Sequence, residues 1–182
     1  MKRAAIVFDE GFEEVEALAP VDMLRRGGVQ VDMVCNQNAE SVSGRSGVKI
    51  DNLIPFDQYD FSQADALILP GGTHFKKLEA NEALKEQIAA FDADENKILA
   101  AICASPTILG RMGLLRDREY VCFVPMNEDF GGEFTPDALV VVDDKLITGR
   151  SAAAAIEFGL TLLEELAGEE ARKEVEKGII YE

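Results

Sequence analysis

Short, almost continuous apolar segments recur along the chain. The clearest are RAAIVF (3–8), VQVDMVC (29–35), ADALILP (64–70) and KILAAIC (97–103). Such runs are typical of strands that are buried on both faces, as in a parallel sheet. Successive parallel strands need crossover connections, which are usually helices. This feature therefore restricts the chain to an α/β architecture.

The segments between these runs carry helical spacing of apolar residues or turn signals. We predict helices over 13–28, over 81–94 with Asn81 as N-cap, from Pro106 to Met112, over 152–168 and around 169–177. We predict further strands at YVCFV, LVVVD and LITG, and a hairpin that turns near Gly44 to Gly47. The chain is thus expected to form one domain over 1–182. Its fold class is a flavodoxin-like α/β sandwich, a mostly parallel sheet with helices on both faces and a small β-hairpin.

Charge and the amino terminus limit the classes of partner. Eighteen basic residues against 34 acidic ones give a net charge of −16. This charge repels phosphate backbones and anionic lipid surfaces, so we expect neither nucleic-acid nor membrane binding. The first residues, MKRAAIVFDEGFEE, match neither a signal peptide nor a membrane span, and we expect a cytoplasmic protein.

The cysteine and histidine content argues against a metal site and a disulfide framework. The three cysteines, Cys35, Cys103 and Cys122, form no CxxC pair, and His74 is the one histidine. Neither set has the spacing of a zinc site. We therefore expect no bound metal.

Three strand ends carry residues suited to chemistry: DEGFEEVE, PGG and CASP. In open α/β sheets, sites form at the carboxyl ends of the strands, so these motifs should converge. Cys103 falls between a strand and a helix, where the helix N-terminus would lower the pKa of its thiol. The alternative is a buried, small apolar residue, which we expect for Cys35 and Cys122.

Two backbone amides and one carboxyl would complete this site. The amides of Gly72 and Ala104 are candidates for an oxyanion hole beside Cys103. Glu16, on the first turn of a helix that faces the strand ends, would have a raised pKa if half-buried and would stay protonated beside a thiolate. We interpret His74 as a loop residue beside the pocket and not as a catalytic base.

Four motifs, FDEGFEEVEALAPVDMLRRGG, LILPGG, AAICASPTIL and ITGRSAAAAIEFGL, resemble the ThiJ/PfpI superfamily in order and spacing. The resemblance spans nearly the whole chain and is closest to the branch of bacterial YajL and the human parkinsonism-associated deglycase. It implies that Cys103 is the nucleophile and the redox-sensitive residue, and that Glu16 is its protonated partner. Gly72 and Ala104 would supply the oxyanion donors. The family is cofactor-free and commonly homodimeric.

The same resemblance gives two arginines a position in the family pattern, and the chain departs from that pattern at two places. Arg45 falls where the family often reaches across a dimer interface, and Arg150 precedes the last long helix. Val124 stands where the human protein has a histidine. SAAAA, residues 151 to 155, replaces a segment that usually contains glycine and proline, which would reshape the pocket wall.

The resemblance implies a cofactor-independent glyoxalase III or deglycase. Its substrates would be methylglyoxal-like 2-oxoaldehydes or their early glycation adducts, attacked by Cys103. The competing interpretation is an oxidative-stress sensor or redox-regulated chaperone that uses the same cysteine. A cysteine peptidase is the weakest candidate because no base adjoins the nucleophile. We therefore expect an enzyme, with the sensor as the alternative.

Overall fold

A seven-stranded sheet forms the centre of the computed structural model, which describes residues 1–181. The strands of the chain are β1 (Arg3–Phe8), β2 (Gln30–Cys35), β3 (Ser41–Ser43), β4 (Lys49–Asp51), β5 (Ile54–Pro55), β6 (Ala66–Leu69), β7 (Ile98–Ile102), β8 (Glu119–Tyr120), β9 (Glu133–Phe134), β10 (Val140–Asp143) and β11 (Leu146–Gly149). The central sheet has the order β10-β11-β7-β6-β1-β2-β5. The predicted α/β class is confirmed.

The sheet is parallel except at one edge. All neighbouring pairs from β11 to β5 are parallel, whereas β10 pairs with β11 in the antiparallel sense, with Val140 opposite Gly149. Asp144 and Lys145 alone connect β10 to β11. Such a short connection can join only antiparallel strands, because a parallel pair needs a crossover. The mostly parallel sheet is therefore as predicted, with an antiparallel edge.

Helices cover both faces of the sheet. They are α1 (Glu14–Arg26), α2 (Phe75–Ala80), α3 (Glu82–Ala93), α4 (Pro106–Arg111), α5 (Ala155–Ala167) and α6 (Glu169–Ile179). Along β1, Ala4, Ile6 and Phe8 join the apolar core beneath α1 and α5, while Ala5 and Val7 join the core beneath α3 and α4. Both faces of the strand are buried, which accounts for its continuous apolar sequence. No helix within residues 1–181 is long and apolar enough to cross a membrane.

The predicted hairpin consists of β3 and β4, and it packs on the start of α1. Their register places Val42 opposite Ile50. Glu14 on α1 accepts a hydrogen bond from the amide of Ser46 at 2.7 Å. A side chain on Gly44 would collide with this carboxylate, because its Cβ would lie 2.4 Å from Glu14 Oε1. The glycine therefore allows the hairpin and the helix to form one surface.

The structure differs from the predictions at one strand, and it contains a short helix that was not predicted. In YVCFV only Tyr120 belongs to a strand, because the amide of Val121 donates to Thr148 Oγ1 and that of Phe123 to the Cys103 carbonyl. These bonds hold the segment against β11 and the turn after β7 instead of extending the sheet. Helix α2 was not predicted, because six residues are too few to show a helical period.

Candidate active site

Cys103 lies on a turn between β7 and α4 that raises it above the sheet. Its φ is +64°, in the left-handed region that residues other than glycine rarely adopt. Its amide donates to the Gly149 carbonyl at 2.9 Å, and its carbonyl accepts from Phe123 at 2.8 Å. Its side chain is half-buried, whereas those of Cys35 and Cys122 are fully buried. Cys103 is thus the accessible thiol among the three.

Glu16 meets Cys103 across Gly71. Glu16 lies in the first turn of α1 and is buried. A Cβ on Gly71 would lie 2.2 Å from Glu16 Oε2 and 2.5 Å from Cys103 Cβ, so only glycine leaves room for both side chains. Within residues 1–181, Glu16 Oε2 is buried without a hydrogen-bond partner of its own. The structure therefore brings the predicted carboxyl and thiol to one point and leaves an oxygen free to exchange a proton.

Burial shifts the pKa values of both groups upward. It raises the pKa of Glu16 to about 7, and the nearby Glu13 carboxylate adds to the effect. The pKa of the Cys103 thiol is raised by burial and by the Glu16 carboxylate, which together outweigh the amide of Ala104. The predicted lowering of the thiol pKa is therefore wrong. Helix α4 is only six residues long, and its N-terminus is too weak to offset burial beside an acid.

The two predicted oxyanion donors lie beside the thiol. Gly72 and Ala104 line the same cavity as Cys103. Within residues 1–181 neither of their amides donates to a backbone carbonyl. Gly72 has a φ of +107°, and a Cβ there would lie 2.4 Å from the amide nitrogen of Glu13. Glycine is thus required at position 72, and the amides of Gly72 and Ala104 stay candidates for the oxyanion hole.

His74 is buried and structural instead of lying beside the pocket as predicted. Its Nε2 donates to the Pro70 carbonyl at 2.9 Å, and its Nδ1 accepts the amide of Asp9 at 3.1 Å. Burial lowers the pKa of its imidazole to about 4, so the ring is neutral. Both ring nitrogens are occupied by backbone groups. His74 is therefore unable to act as a base for Cys103, in agreement with the interpretation of it as non-catalytic.

Sequence reasoning missed a buried link from the cysteine turn to the glycine loop. Ser105 Oγ donates to the Pro70 carbonyl at 2.5 Å, and His74 donates to the same oxygen. The Pro70 carbonyl thus joins the segment that carries Gly72 to the segment that carries Ala104. A serine inside the apolar motif AAICASPTIL is the signal that could have indicated this link, because a hydroxyl buried there needs a hydrogen-bond partner.

A cavity of about 390 Å³ opens above Cys103. Its polar side holds Glu13 and Arg45, which form a 2.8 Å ion pair. Thr73, Ser151 and Ala152 also line it, together with three large apolar side chains that sequence reasoning did not identify: Phe75, Phe123 and Met126. A larger groove, about 550 Å³, lies between the end of α1 and α6, and it contains neither a cysteine nor a histidine. The chemistry therefore points to the smaller cavity.

The remaining sequence-predicted positions lie around this cavity. Arg45 lines it, whereas Arg150 lies outside it and donates to the Pro136 and Asp137 carbonyls at 3.3 and 3.4 Å. Val124 is 50% exposed and does not line the cavity. Ser151, from the segment that departs from the family pattern, forms part of the wall. Among the described residues no group of three His, Cys, Asp or Glu side chains is arranged to hold a metal ion.

The chain is similar in sequence to a known protein family and to named relatives. A model described as the DJ-1/PfpI family matches residues 2–165. The glutathione-independent glyoxalase DJR-1.2 of Caenorhabditis elegans is 32% identical over 168 residues, which cover 88% of this chain and 86% of that protein. A deglycase of Pyrococcus abyssi is 31% identical over 150 residues, which cover 81% of this chain and 89% of that protein.

The fold also matches a solved structure along its full length. The crystal structure of a cysteine-to-alanine mutant of a DJ-1 superfamily protein from Salmonella typhimurium superposes with a TM-score of 0.93. The two chains are 31% identical, and the match covers 100% of each. The likeness therefore includes the sheet, the helices and the strand ends that carry the site.

Proposed function

The chain belongs to the DJ-1/PfpI family, and from that premise we propose that it is a cofactor-independent glyoxalase or deglycase with Cys103 as its nucleophile. The substrates would be methylglyoxal-like 2-oxoaldehydes or their early glycation adducts. One observation supports this most strongly. A half-buried thiol on a strained turn lies beside a buried carboxyl whose pKa is about 7, which suits proton transfer at neutral pH.

The first step would join the thiol to the aldehyde. Cys103 Sγ attacks the aldehyde carbon, the carbon–oxygen double bond opens, and the Glu16 carboxylate takes the thiol proton. The negative charge that develops on oxygen would be stabilised by the amides of Gly72 and Ala104. Glu16 then returns the proton to this oxygen, which leaves a hemithioacetal. Because the thiol pKa is raised, the reaction depends on this transfer to Glu16.

The second step would move hydrogen between adjacent carbons. The Glu16 carboxylate removes the proton from the former aldehyde carbon, and the enediol that results is reprotonated at the neighbouring carbon. The aldehyde carbon is oxidised to a thioester while the ketone carbon is reduced to an alcohol, so no external redox partner is needed. Water then hydrolyses the thioester to a 2-hydroxy acid and the free Cys103 thiol. With methylglyoxal the product is lactate.

Deglycation would follow from the same chemistry. An early glycation adduct is in equilibrium with its free 2-oxoaldehyde, so an enzyme that consumes the aldehyde would also clear the adduct. Direct attack of Cys103 on the adduct would have the same outcome. Both routes place the same demands on Cys103 and Glu16.

Purified protein incubated with methylglyoxal tests the proposal. We expect lactate, measured by stereospecific dehydrogenases for the D and L forms, and no lactate from Cys103→Ser. Cys35→Ser is the matched control, since Cys35 is buried in β2 away from the cavity. A wild-type protein that forms no lactate would disprove the glyoxalase, and a Cys103→Ser variant with full activity would disprove Cys103 as its nucleophile.

The accessibility of Cys103 supports a second candidate function. We propose as the alternative a sensor of oxidative stress or a redox-regulated chaperone, in which Cys103 is oxidised to a sulfinate held by Glu16 and the two amides. The supporting observation is that Cys103 is half-buried while Cys35 and Cys122 are fully buried. If the wild-type protein converts methylglyoxal, the enzyme is favoured. If it does not and Cys103 is oxidised selectively, the sensor is favoured.

We also propose that the chain forms a homodimer through α1 and the β3–β4 hairpin. Val15 on α1 is 44% exposed and Val48 on the hairpin is 49% exposed. Glu14 ties the two elements together through the amides of Ser46 and Val48. This surface therefore combines apolar side chains with a rigid framework, as a protein interface needs.

A further inference from the structure

The cavity above Cys103 is larger than methylglyoxal requires. Its volume is about 390 Å³, within the range of roughly 300–1,000 Å³ that is typical of pockets for drug-sized ligands. Methylglyoxal has only a methyl group on its ketone carbon. A substrate held by its aldehyde at Cys103 would leave most of this space empty, so the cavity has room for a larger substituent.

One wall of the cavity is apolar and aromatic. Phe75 from the start of α2 lies on it with Phe123 and Met126, which follow β8. Phe123 is 44% exposed, which is unusual for a side chain of this size beside a reactive thiol. Aromatic and methionine side chains gain contact energy from another aromatic ring. The wall is therefore suited to cover an apolar group.

Two small lining residues leave space for that group. They are Ser151 and Ala152, which precede α5. These two small side chains come from the segment that departs from the family pattern. Because both side chains are small, they take up little of the cavity.

The charges around the cavity disfavour an anionic substituent. Arg45 is the one cationic residue among the described lining residues, and it is paired with Glu13 at 2.8 Å. Glu16 adds a second carboxyl, and the chain as a whole has a charge of −16. A carboxylate or phosphate on the substrate would therefore find no free cation and would be repelled by the surroundings.

The aromatic wall is held in place without a ligand. The amide of Phe123 donates to the Cys103 carbonyl at 2.8 Å, and that of Met126 donates to the Phe123 carbonyl at 2.7 Å. Arg111 on α4 forms ion pairs with Glu128, just beyond this wall, and with Glu79 on α2. The wall is thus fixed to the turn that carries the nucleophile, and its distance from the reacting atoms is set by the fold.

We propose that this cavity selects 2-oxoaldehydes that carry a neutral, apolar substituent about as large as a phenyl ring, and that Phe75, Phe123 and Met126 determine the preference. The proposal rests on the function proposed above and adds its substrate class. Phenylglyoxal is the simplest probe, because it differs from methylglyoxal by a phenyl ring in place of the methyl group.

The kinetic test compares the two aldehydes in matched variants. We expect Phe123→Ala to lower kcat/KM for phenylglyoxal relative to methylglyoxal by about tenfold or more, compared with the wild-type ratio. Using the ratio removes the different intrinsic reactivity of the two aldehydes. Val124→Ala is the control, because Val124 is the exposed neighbour that does not line the cavity, and its ratio should equal the wild-type ratio. An unchanged ratio in Phe123→Ala would overturn the proposal.

A binding test separates the specificity from the catalysis. In the Cys103→Ser background, acetophenone and acetone are unreactive probes whose binding can be followed by ligand-observed NMR. We expect acetophenone to bind at least tenfold more tightly than acetone, and Phe123→Ala, but not Val124→Ala, to remove most of the difference. Equal binding of both ketones would refute the apolar preference, whether or not the enzyme is active. If the wild-type protein forms no lactate but the Cys103→Ser protein clearly prefers acetophenone, the glyoxalase is rejected and the apolar binding site is kept.

Discussion

Ser105 and Pro70 are joined by a buried hydrogen bond of 2.5 Å from the serine hydroxyl to the proline carbonyl. The two residues follow different strands, β7 and β6, and each lies close to one of the proposed oxyanion donors. His74 donates to the same carbonyl at 2.9 Å. Two donors on one oxygen hold the two loops at a fixed separation, so the relative position of the Gly72 and Ala104 amides depends on them.

Removing this hydroxyl should reduce turnover more than stability. We expect Ser105→Ala to lower kcat for methylglyoxal about tenfold with little change in KM, because misplaced donors lose stabilisation of the transition state. Steady-state kinetics and thermal unfolding measure the two effects. Thr161→Val is the control: Thr161 is also buried, but its hydroxyl donates to Glu157 within α5. Equal kinetic losses in both variants would assign Ser105 a purely structural role.

Replacing Glu16 with Gln should abolish the ionisation that controls activity. The pKa of Glu16 is about 7, so below that pH the carboxyl is protonated and unable to accept the thiol proton. In the wild type kcat/KM should fall about tenfold per pH unit below 7 and level off above it. Glu16→Gln should lose about 10²-fold or more of the turnover and show no inflection near 7. Glu16→Asp should be intermediate. If the Gln variant forms lactate at the wild-type rate, the proton transfer through Glu16 is wrong.

Cys103 should be the thiol most sensitive to peroxide. The pKa of each cysteine is raised by burial, and that of Cys103 also by the Glu16 carboxylate, so thiolate formation does not single out Cys103. Access to solvent then decides the order of oxidation, because Cys103 is half-buried whereas Cys35 and Cys122 are fully buried. Peptide mass mapping after mild peroxide should find oxygen added at Cys103 first. Earlier oxidation of Cys35 or Cys122 would contradict this expectation.

His74 should make the fold less stable in acid. Burial lowers the pKa of its imidazole from 6.5 to about 4, so the unfolded chain binds a proton in this range before the folded chain does. Its stabilising contribution is complete above pH 6.5 and is lost as the pH falls towards 4, by about 3 kcal/mol in total. Urea unfolding at pH 7 and pH 4.5 should show a smaller difference in His74→Gln than in the wild type. An equal difference would show that His74 does not control it.

The proposed dimer makes a simple prediction about mass. Light scattering at micromolar concentration should give about twice the chain mass of 19.9 kDa. Val15→Asp should shift the mass to that of a monomer, because a charge would be buried in the interface. Val142→Asp, on the edge strand β10 and similarly exposed, should leave the mass unchanged. A wild-type protein that is monomeric would rule out the dimer.

Much of the architecture could be predicted from local sequence pattern. The continuous run at 3–8 identified β1 because a strand between two helical layers must be apolar on both faces. Asn81 identified the start of α3, and its side chain accepts the amide of Leu84 at 3.2 Å. Strands β5 and β9 and helix α2 were missed, since two residues in each strand and six in the helix carry too little pattern to recognise.

The sequence by itself determined which residues share the site: the order of strands and turns requires Glu16, Gly72 and Cys103 to meet at the carboxyl edge of a parallel sheet. Only the tertiary structure decided the protonation, burial and surroundings of these residues. Contacts between segments far apart in the chain raise the pKa of Cys103, bury His74 and form the aromatic wall at Phe123. Periodicity reports which face of an element is buried, whereas electrostatics and cavity shape depend on the distances between elements, which no local pattern contains.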